Sequence, residues 1–104
     1  MAKRRHSRVR AREARTTRGW QRQASHKPGD RAELYMRCGA RAFLAPNSRN
    51  PGHSKFPIMP KHGPCEVDCR GLRAAKARAH QYGHYSAARK AESLAKRAHC
   101  SWVD

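Results

Sequence analysis

Acidic residues are scarce in this sequence of 104 residues. Only seven Asp and Glu residues stand against 24 Lys and Arg residues, which gives a formal net charge of +17 at neutral pH. Self-repulsion at this charge opposes compaction. Solubility alone does not require it, because a surface of mixed charge with a modest net charge is also soluble. The composition therefore predicts a partner that is either a polyanion or an acidic protein surface.

Long apolar runs are missing as well. No segment approaches the roughly 20 consecutive apolar residues that a membrane-spanning helix requires. The basic N-terminus lacks the apolar centre of a secretory signal peptide, so the sequence does not indicate secretion. The short cluster Lys3-Arg4-Arg5 is a pattern common in nuclear addresses.

Signatures of catalysis are also absent. The sequence has no Gly-rich phosphate loop, no carboxylate pair at catalytic spacing and no nucleophile elbow. His80 and His84 stand four residues apart, but a predicted helix break at Gly83 separates them. The seven histidines are better explained as polar or positive surface. We expect that the protein is not an enzyme.

Large apolar residues are nearly absent from residues 1–27. This segment holds ten Lys or Arg residues and one acid, and only Val9 and Trp20 offer large apolar surface. Burial cannot offset its ordering entropy, which predicts an extended basic arm that is disordered unless bound. Residues 28–104 then form a small module that contains all four cysteines.

The module is predicted to have a small α+β fold that is mostly helical. Asp30 and Glu33 fit a capping box, which would begin a short helix over residues 31–37. Two apolar stretches, residues 42–44 and 55–59, predict short strands that form a hairpin. The loop between them is rich in Asn, Pro, Ser and Gly.

A C-terminal antiparallel helical hairpin completes the predicted fold. Asp68 is suited to cap the first helix, and Gly83 is suited to end it in the left-handed conformation. The predicted inward stripe of this helix comprises Leu72, Ala75, Ala79 and Tyr82. The second helix, over residues 84–99, turns mostly alanines inward, so the hairpin buries little apolar area. So thin a core usually needs a covalent or metal staple, or a partner surface.

The four cysteines are candidates for that staple. A helical hairpin brings its start and end together, so Cys69 and Cys100 become neighbours, with Cys65 just upstream and Cys38 able to close the group. Four converging thiolates would suit one structural zinc ion, although Cys-x3-Cys departs from the usual Cys-x2-Cys knuckle. Two disulfides also fit the even count, with three connectivities allowed, but they imply an oxidising setting, which the missing signal peptide argues against. Four reduced cysteines packed as small hydrophobes are the third alternative.

Contacts to a polyanion would come from the arm and from the outer faces of the helical hairpin. Phosphate contacts are independent of base sequence and weaken steeply with salt, and Trp20 could stack on a base. No helix-turn-helix, RNA-recognition or zinc-finger signature supports base-specific binding. The predicted contact residues are Lys3, Arg4, Arg5, Arg8, Arg10, Arg12, Arg15, Arg18, Trp20, Arg22, Arg70, Arg73, Arg78, Arg89 and Lys90, and the outer faces also carry Lys76, Lys96 and Arg97.

An ordered set of short motifs resembles a known family. Cys38, "FLAP" at 43–46, "KFPI" at 55–58 and "DCRGL" at 68–72 follow one another along the chain. This order resembles small basic, largely uncharacterised virion-type proteins of large double-stranded DNA viruses, and the resemblance covers residues 38–100. It implies a minor capsid protein that bridges capsid proteins, or a virion protein that contacts packaged DNA. Such viruses can oxidise virion proteins without secretion. The resemblance therefore makes two disulfides as strongly favoured as one structural zinc ion.

A second class of function stays open from the residues. Extended basic arms on thin-cored modules also suit cellular RNA-binding assembly proteins of ribosomal type, which lie in the nucleus or a ribosome-containing compartment. The two classes differ in what the positive charge touches. A capsid protein would meet acidic side chains of its neighbours, whereas a ribosomal-type protein would meet RNA phosphates.

Overall fold

A computed structural model describes residues 17–103 of the chain. Its helices are α1 (Trp20–Gln23), α2 (Pro28–Cys38), α3 (Cys69–Gln81) and α4 (Tyr85–Arg97), and its strands are β1 (Phe43–Ala45) and β2 (Lys55–Pro57). One-turn 3-10 helices span Ala40–Ala42, Pro51–His53 and Ser101–Val103. This architecture confirms the predicted small, mostly helical α+β fold. None of the helices within residues 17–103 is long and apolar enough to cross a membrane.

Helix α2 begins earlier than the proposed capping box. Its N-cap is Lys27, which makes no side-chain capping bond, and Pro28 takes the first helical position. Proline is favoured there because its missing N–H would be unpaired anyway and its φ is already helical. The prediction that Asp30 caps this helix is therefore wrong. Asp30 lies in the first turn instead, where its charge interacts favourably with the helix dipole.

The two strands form an antiparallel ribbon. Phe43 lies opposite Pro57, and Ala45 lies opposite Lys55. Proline is tolerated because both strands of a two-stranded sheet are edges, so no second ladder needs its N–H. The backbone N–H of Ile58 donates to the carbonyl of Ala42 at 2.8 Å, which continues the pairing past the strand ends.

Helices α3 and α4 form the predicted hairpin. The Asp68 carboxylate accepts a hydrogen bond from the backbone N–H of Arg70 at 2.8 Å, which confirms it as the cap of α3. Gly83 has a φ of 79° in the link, a conformation that a residue with Cβ adopts only with strain. The buried alanines at the helix interface are Ala75, Ala79, Ala88, Ala91 and Ala95.

Tyr82 does not continue the buried stripe of α3, and that part of the prediction is wrong. Leu72, Ala75 and Ala79 are buried, but Tyr82 is 62% exposed. Tyr82 is the C-cap residue of α3, where the chain leaves helical geometry. The helical period therefore no longer determines which way its side chain faces.

The hydrophobic core lies between α2, the ribbon and the helical hairpin. Its largest fully buried side chains are Leu34, Phe43, Ile58 and Leu72. Three cysteines belong to the same cluster, and aromatic and aliphatic side chains pack half-buried around it. The core therefore contains few large apolar groups, as the sequence predicts.

Trp20 extends the folded part of the chain beyond the predicted boundary at residue 28. Residues 17–27 include α1, and the side chain of Trp20 is only 5% exposed. Its ring lies against Gly71 of α3, where an added Cβ would approach two ring atoms to 2.7 Å. Trp20 thus supplies apolar area to a thin core and is not placed to stack on a base. The rest of the predicted arm, residues 1–16, lies outside the described residues.

The contact between Trp20 and Gly71 predicts the effect of Gly71→Ala. The added methyl group would displace the indole and lower the free energy of unfolding by about 1–3 kcal/mol. Urea unfolding followed by far-UV circular dichroism measures the change. Gly29→Ala is the matched control, because Gly29 lies in α2 with no atom within 4 Å of an added Cβ. The control should be neutral or stabilising by up to about 1 kcal/mol, and equal loss in both variants would contradict the contact.

Candidate functional site

The cysteines form two disulfides. Cys38 at the end of α2 bonds Cys65 in the loop before α3, with their Cα atoms 5.4 Å apart. Cys69 at the start of α3 bonds Cys100 beyond α4, with their Cα atoms 5.6 Å apart. The second bond closes the open end of the helical hairpin, where sequence reasoning placed these two residues side by side.

The expectation of a structural zinc ion is wrong. All four candidate ligands are used in disulfides, so no thiolate is left to bind a metal. Across residues 17–103, no group of three or more His, Cys, Asp or Glu side chains could hold a metal ion. The four sulfurs do not form one group. Cys38 at the end of α2 is bonded to Cys65, and Cys69 and Cys100 are bonded to each other at the open end of the hairpin.

Arg37 holds the loop that carries Cys65. Its guanidinium donates to the carbonyls of Gly63 at 2.6 Å, Lys61 at 2.8 Å and Pro60 at 3.1 Å. Carbonyl oxygens of an irregular loop have no ladder partners, and a guanidinium can satisfy several at once. The loop is therefore fixed against the end of α2, which keeps Cys65 beside Cys38.

Arg70 was predicted to contact a partner, but it is engaged within the protein. Its Nε and Nη2 donate to the two oxygens of Asp68 at 3.0 and 2.7 Å. The same guanidinium donates to the side chain of Gln23 at 3.0 Å and to the carbonyl of Arg18 at 3.4 Å. Only 13% of the Arg70 side chain is exposed. Arg70 therefore ties the segment around α1 to the start of α3.

Arg70 lowers the pKa of the Asp68 carboxyl group. Burial raises its pKa, but the hydrogen bonds and the charge of Arg70 outweigh burial, so the pKa of Asp68 lies below its ordinary value. A bidentate contact with a guanidinium is among the stronger charge-assisted interactions in proteins. The charge on Asp68 is therefore part of what stabilises the fold.

The remaining predicted contact residues separate into three groups. Lys3, Arg4, Arg5, Arg8, Arg10, Arg12 and Arg15 lie outside the described residues. Arg18 is exposed before α1, Arg22 is exposed on α1, and Arg73 and Arg78 are exposed on α3. Arg89 and Lys90 are exposed on α4. The structure thus brings the α3 and α4 cations onto one helical hairpin, as predicted.

The outer side of α4 carries a dense group of cations, which we call the α4 face: Arg89, Lys90, Lys96 and Arg97. All four side chains are exposed, and none has an acidic partner within residues 17–103. The one acid of α4, Glu92, lies 3.8 Å from Lys76 of α3. Residues 17–103 as a whole contain 17 Lys or Arg and five Asp or Glu, a net charge of +12. The α4 face therefore carries four exposed cations, whereas α3 has the same number of Lys and Arg residues but two of them, Arg70 and Lys76, face acids.

A cavity that the sequence did not indicate lies on another side of α3. It has a volume of about 440 Å³, and its lining includes Trp20, Ser25, Arg31, Phe56 and Arg78. Its walls come from the segment before α2, from β2 and from α3. Residues 17–27 were predicted to belong to the arm, so the sequence did not predict that Ser25 and α3 line one cavity.

Comparisons of the chain with protein-family models, with curated proteins and with solved structures found no match. The function of these surfaces is therefore inferred from their own residues.

The disulfides predict a defined alkylation pattern. Denaturation with iodoacetamide should add no mass to the oxidised chain, and reduction first should add four alkyl groups, as measured by intact mass spectrometry. A zinc chelator should leave thermal unfolding unchanged. Alkylation of any cysteine before reduction would contradict the two bonds.

The two disulfides should also differ in how much they stabilise the chain. Sequence separations of 27 and 31 residues give each bond about 3.5 kcal/mol in the loop-entropy model. Cys69 and Cys100 are both buried, whereas Cys65 is only half-buried. Replacing Cys69 and Cys100 by Ala should therefore lower the urea midpoint further than replacing Cys38 and Cys65. The opposite order would show that the α2 end matters more.

Asp68 predicts a loss of stability at acid pH. Because its pKa is lower in the folded state, its contribution is complete above its unfolded pKa of about 3.9 and disappears as pH falls through the folded value. Asp68→Asn keeps a capping oxygen but removes the charge, so it should cost about 2 kcal/mol at pH 7 and less at pH 3. Urea unfolding at both pH values tests this. Asp30→Asn is the control, since Asp30 lies 4.0 Å from Lys61 at a half-buried site, and an equal cost there would contradict the role of Arg70.

Proposed function

We propose that this chain is a non-enzymatic structural component of a large assembly, of the minor capsid type found in virions of large DNA viruses. In this role the α4 face contacts packaged nucleic acid through its phosphates, without reading base sequence. The proposal rests on one observation, which is the group of four exposed cations on one side of α4, in a helical hairpin closed by the Cys69–Cys100 disulfide.

The spacing within the α4 face suits a linear polyanion. Arg89 and Lys96 stand seven residues apart, as do Lys90 and Arg97. Seven residues are close to two helical turns, so each pair lies on one side of the helix, about 10 Å apart along its axis. Two parallel pairs of cations can therefore contact several phosphates of one polyanion at once.

The disulfides favour a virion over a ribosomal-type assembly. Structural disulfides persist in oxidising settings and are rare where cellular thiols stay reduced. A ribosomal-type protein works among reduced thiols, so two disulfides in so small a module weigh against that alternative. The resemblance of residues 38–100 to virion-type proteins of large DNA viruses supports the same choice. The seven basic residues among residues 1–16 add positive charge for the same polyanion.

Salt-dependent binding of duplex DNA tests the proposed role of the α4 face. The oxidised chain should bind a fluorescent duplex, and log K should fall linearly with log salt concentration. Changing Arg89, Lys90, Lys96 and Arg97 to Gln should reduce the steepness of that line by about 3 to 4 units, at about 0.9 per phosphate contact. Fluorescence anisotropy between roughly 50 and 200 mM salt covers the useful range.

A control with the same change in net charge separates the α4 face from general positive charge. Arg22, Lys27, Arg41 and Arg49 are exposed and lie outside α4. Changing these four to Gln should alter the slope much less. Equal changes in both variants would mean that binding is spread over the surface. No binding by the wild-type chain at 50 mM salt would exclude nucleic acid as the partner of this face.

A further inference from the structure

The cavity beside α3 is lined by cations with no acid among them. Arg31, Lys55 and Arg78 contribute positive side chains, and His26 and His84 add titratable ones. No Asp or Glu stands among the described residues of its lining. A volume of about 440 Å³ lies within the usual range for small-molecule sites. The cavity is therefore large enough for a small organic molecule and has the electrostatics to favour an anion.

Arg31 is held in place without a neutralising partner. Its Nε donates to the carbonyl of Ser25 at 3.0 Å, and its Nη1 donates to the carbonyl of Ser54 at 3.1 Å. Its Nη2 has no hydrogen-bond partner within residues 17–103. Burial and the nearby charge of Arg78 both lower the pKa of Arg31. Two cations that repel each other thus line the same cavity, and an anion bound between them would relieve this repulsion.

Ser25 gives an independent indication of a ligand. Its side chain is fully buried and lines the cavity, and its hydroxyl has no partner within the described chain. Native proteins rarely leave a buried hydroxyl unpaired. The hydroxyl can donate to an oxygen atom of a bound anion, which would remove this cost.

Aromatic side chains form the rest of the wall. Phe56 is half-buried and Tyr82 is exposed in this lining, whereas Trp20 is buried against Gly71 and contributes only apolar area. Phe56 has a φ of 58°, a left-handed conformation that is unusual for a residue with a side chain and is often found beside ligand sites. Aromatic faces stack on planar rings, and nucleobases are planar rings that every nucleotide carries. The wall therefore suits a flat ring attached to the anion.

We propose that this cavity binds a nucleotide, with its phosphate at Arg31, Arg78 and the Ser25 hydroxyl and its base against the aromatic wall. The nucleotide is either free or the terminal residue of a strand. Residues 1–16 of the same chain are a poor occupant, because they carry seven Lys or Arg and one Glu and would be repelled. The proposal does not depend on the role of the α4 face, because the two sites share no residue.

Calorimetric titration of the oxidised full-length chain tests the site directly. Adenosine 5′-monophosphate should bind at least about tenfold more tightly than adenosine or inorganic phosphate, since each of these lacks one half of the recognised group. A dinucleotide with a 5′-phosphate distinguishes the two sources. Tighter binding of the dinucleotide assigns a strand end to the cavity, and tighter binding of the mononucleotide assigns a free nucleotide. Equal affinity for adenosine and its monophosphate would overturn the proposal.

Two variants locate the binding. Arg78→Gln changes an exposed side chain and should weaken mononucleotide binding about tenfold. Ser25→Ala should also weaken it several-fold, while the melting temperature stays unchanged or rises because an unpaired buried hydroxyl is removed. Arg89→Gln removes an equal charge from the α4 face and should leave binding unchanged.

The results that reject the site are equally defined. Unchanged affinity in both cavity variants, or an equal loss in Arg89→Gln, would place any binding elsewhere. A competition experiment with a labelled mononucleotide tests a protein partner. If a short acidic peptide with an aromatic residue displaces it at a lower concentration than unlabelled mononucleotide does, the cavity belongs to a protein partner and the proposal is overturned.

Discussion

Alanine forms the interface between α3 and α4, and the rest of the structure depends on this choice. Ala75 and Ala79 of one helix face Ala88, Ala91 and Ala95 of the other. Small side chains let two helices approach closely, but each buried methyl group contributes only about 0.8 kcal/mol. The hairpin therefore cannot be stabilised by its interface alone. Its open end is closed by Cys69 and Cys100, beside which Trp102 donates to the carbonyl of Cys69 at 2.9 Å.

The missing apolar area is supplied from outside the module that the sequence defines. Trp20 packs on Gly71, and Arg70 holds the adjoining segment through Gln23 and Arg18. One glycine and one arginine of α3, adjacent in sequence, thus attach α1 by an apolar contact and by hydrogen bonds. This attachment also creates the cavity, because the segment before α2 forms one of its walls. A feature that compensates for a thin core therefore also produces a candidate binding site.

Sequence reasoning succeeded where a local rule decides the outcome. The two helices, the cap at Asp68 and the left-handed Gly83 each follow from neighbouring residues, and all are present, although the buried stripe of α3 ends before Tyr82. It failed at Asp30, because Pro28 offered a competing start that determines φ more strongly than a capping side chain does.

Nonlocal features could be predicted only in part. The closure of the hairpin indicated that Cys69 and Cys100 are neighbours, and they are bonded. Pairing Cys38 with Cys65 depends on a loop whose position is set by Arg37 bonds to backbone carbonyls, which no local pattern reveals. Trp20 lies in a basic segment with no periodic apolar pattern, so no local rule predicts where it packs. Its ring fits against α3 because Gly71 has no side chain there. The cavity was out of reach for the same reason, since it exists only once that segment is packed.

The distribution of acids explains why so much positive charge remains for a partner. Asp68 is bound by Arg70, Asp30 lies near Lys61, and Glu92 lies near Lys76, so at least three of the five described acids already have a nearby cation of the same chain. A net charge of +12 within residues 17–103 opposes compaction, and the two disulfides offset this by limiting the entropy of the unfolded chain. Covalent closure thus allows a small fold to keep cations that hydrophobic burial alone would not support. Seven of the 17 Lys and Arg residues within residues 17–103 lie on α4 or line the cavity, where an anionic partner would lower the repulsion that the fold leaves in place.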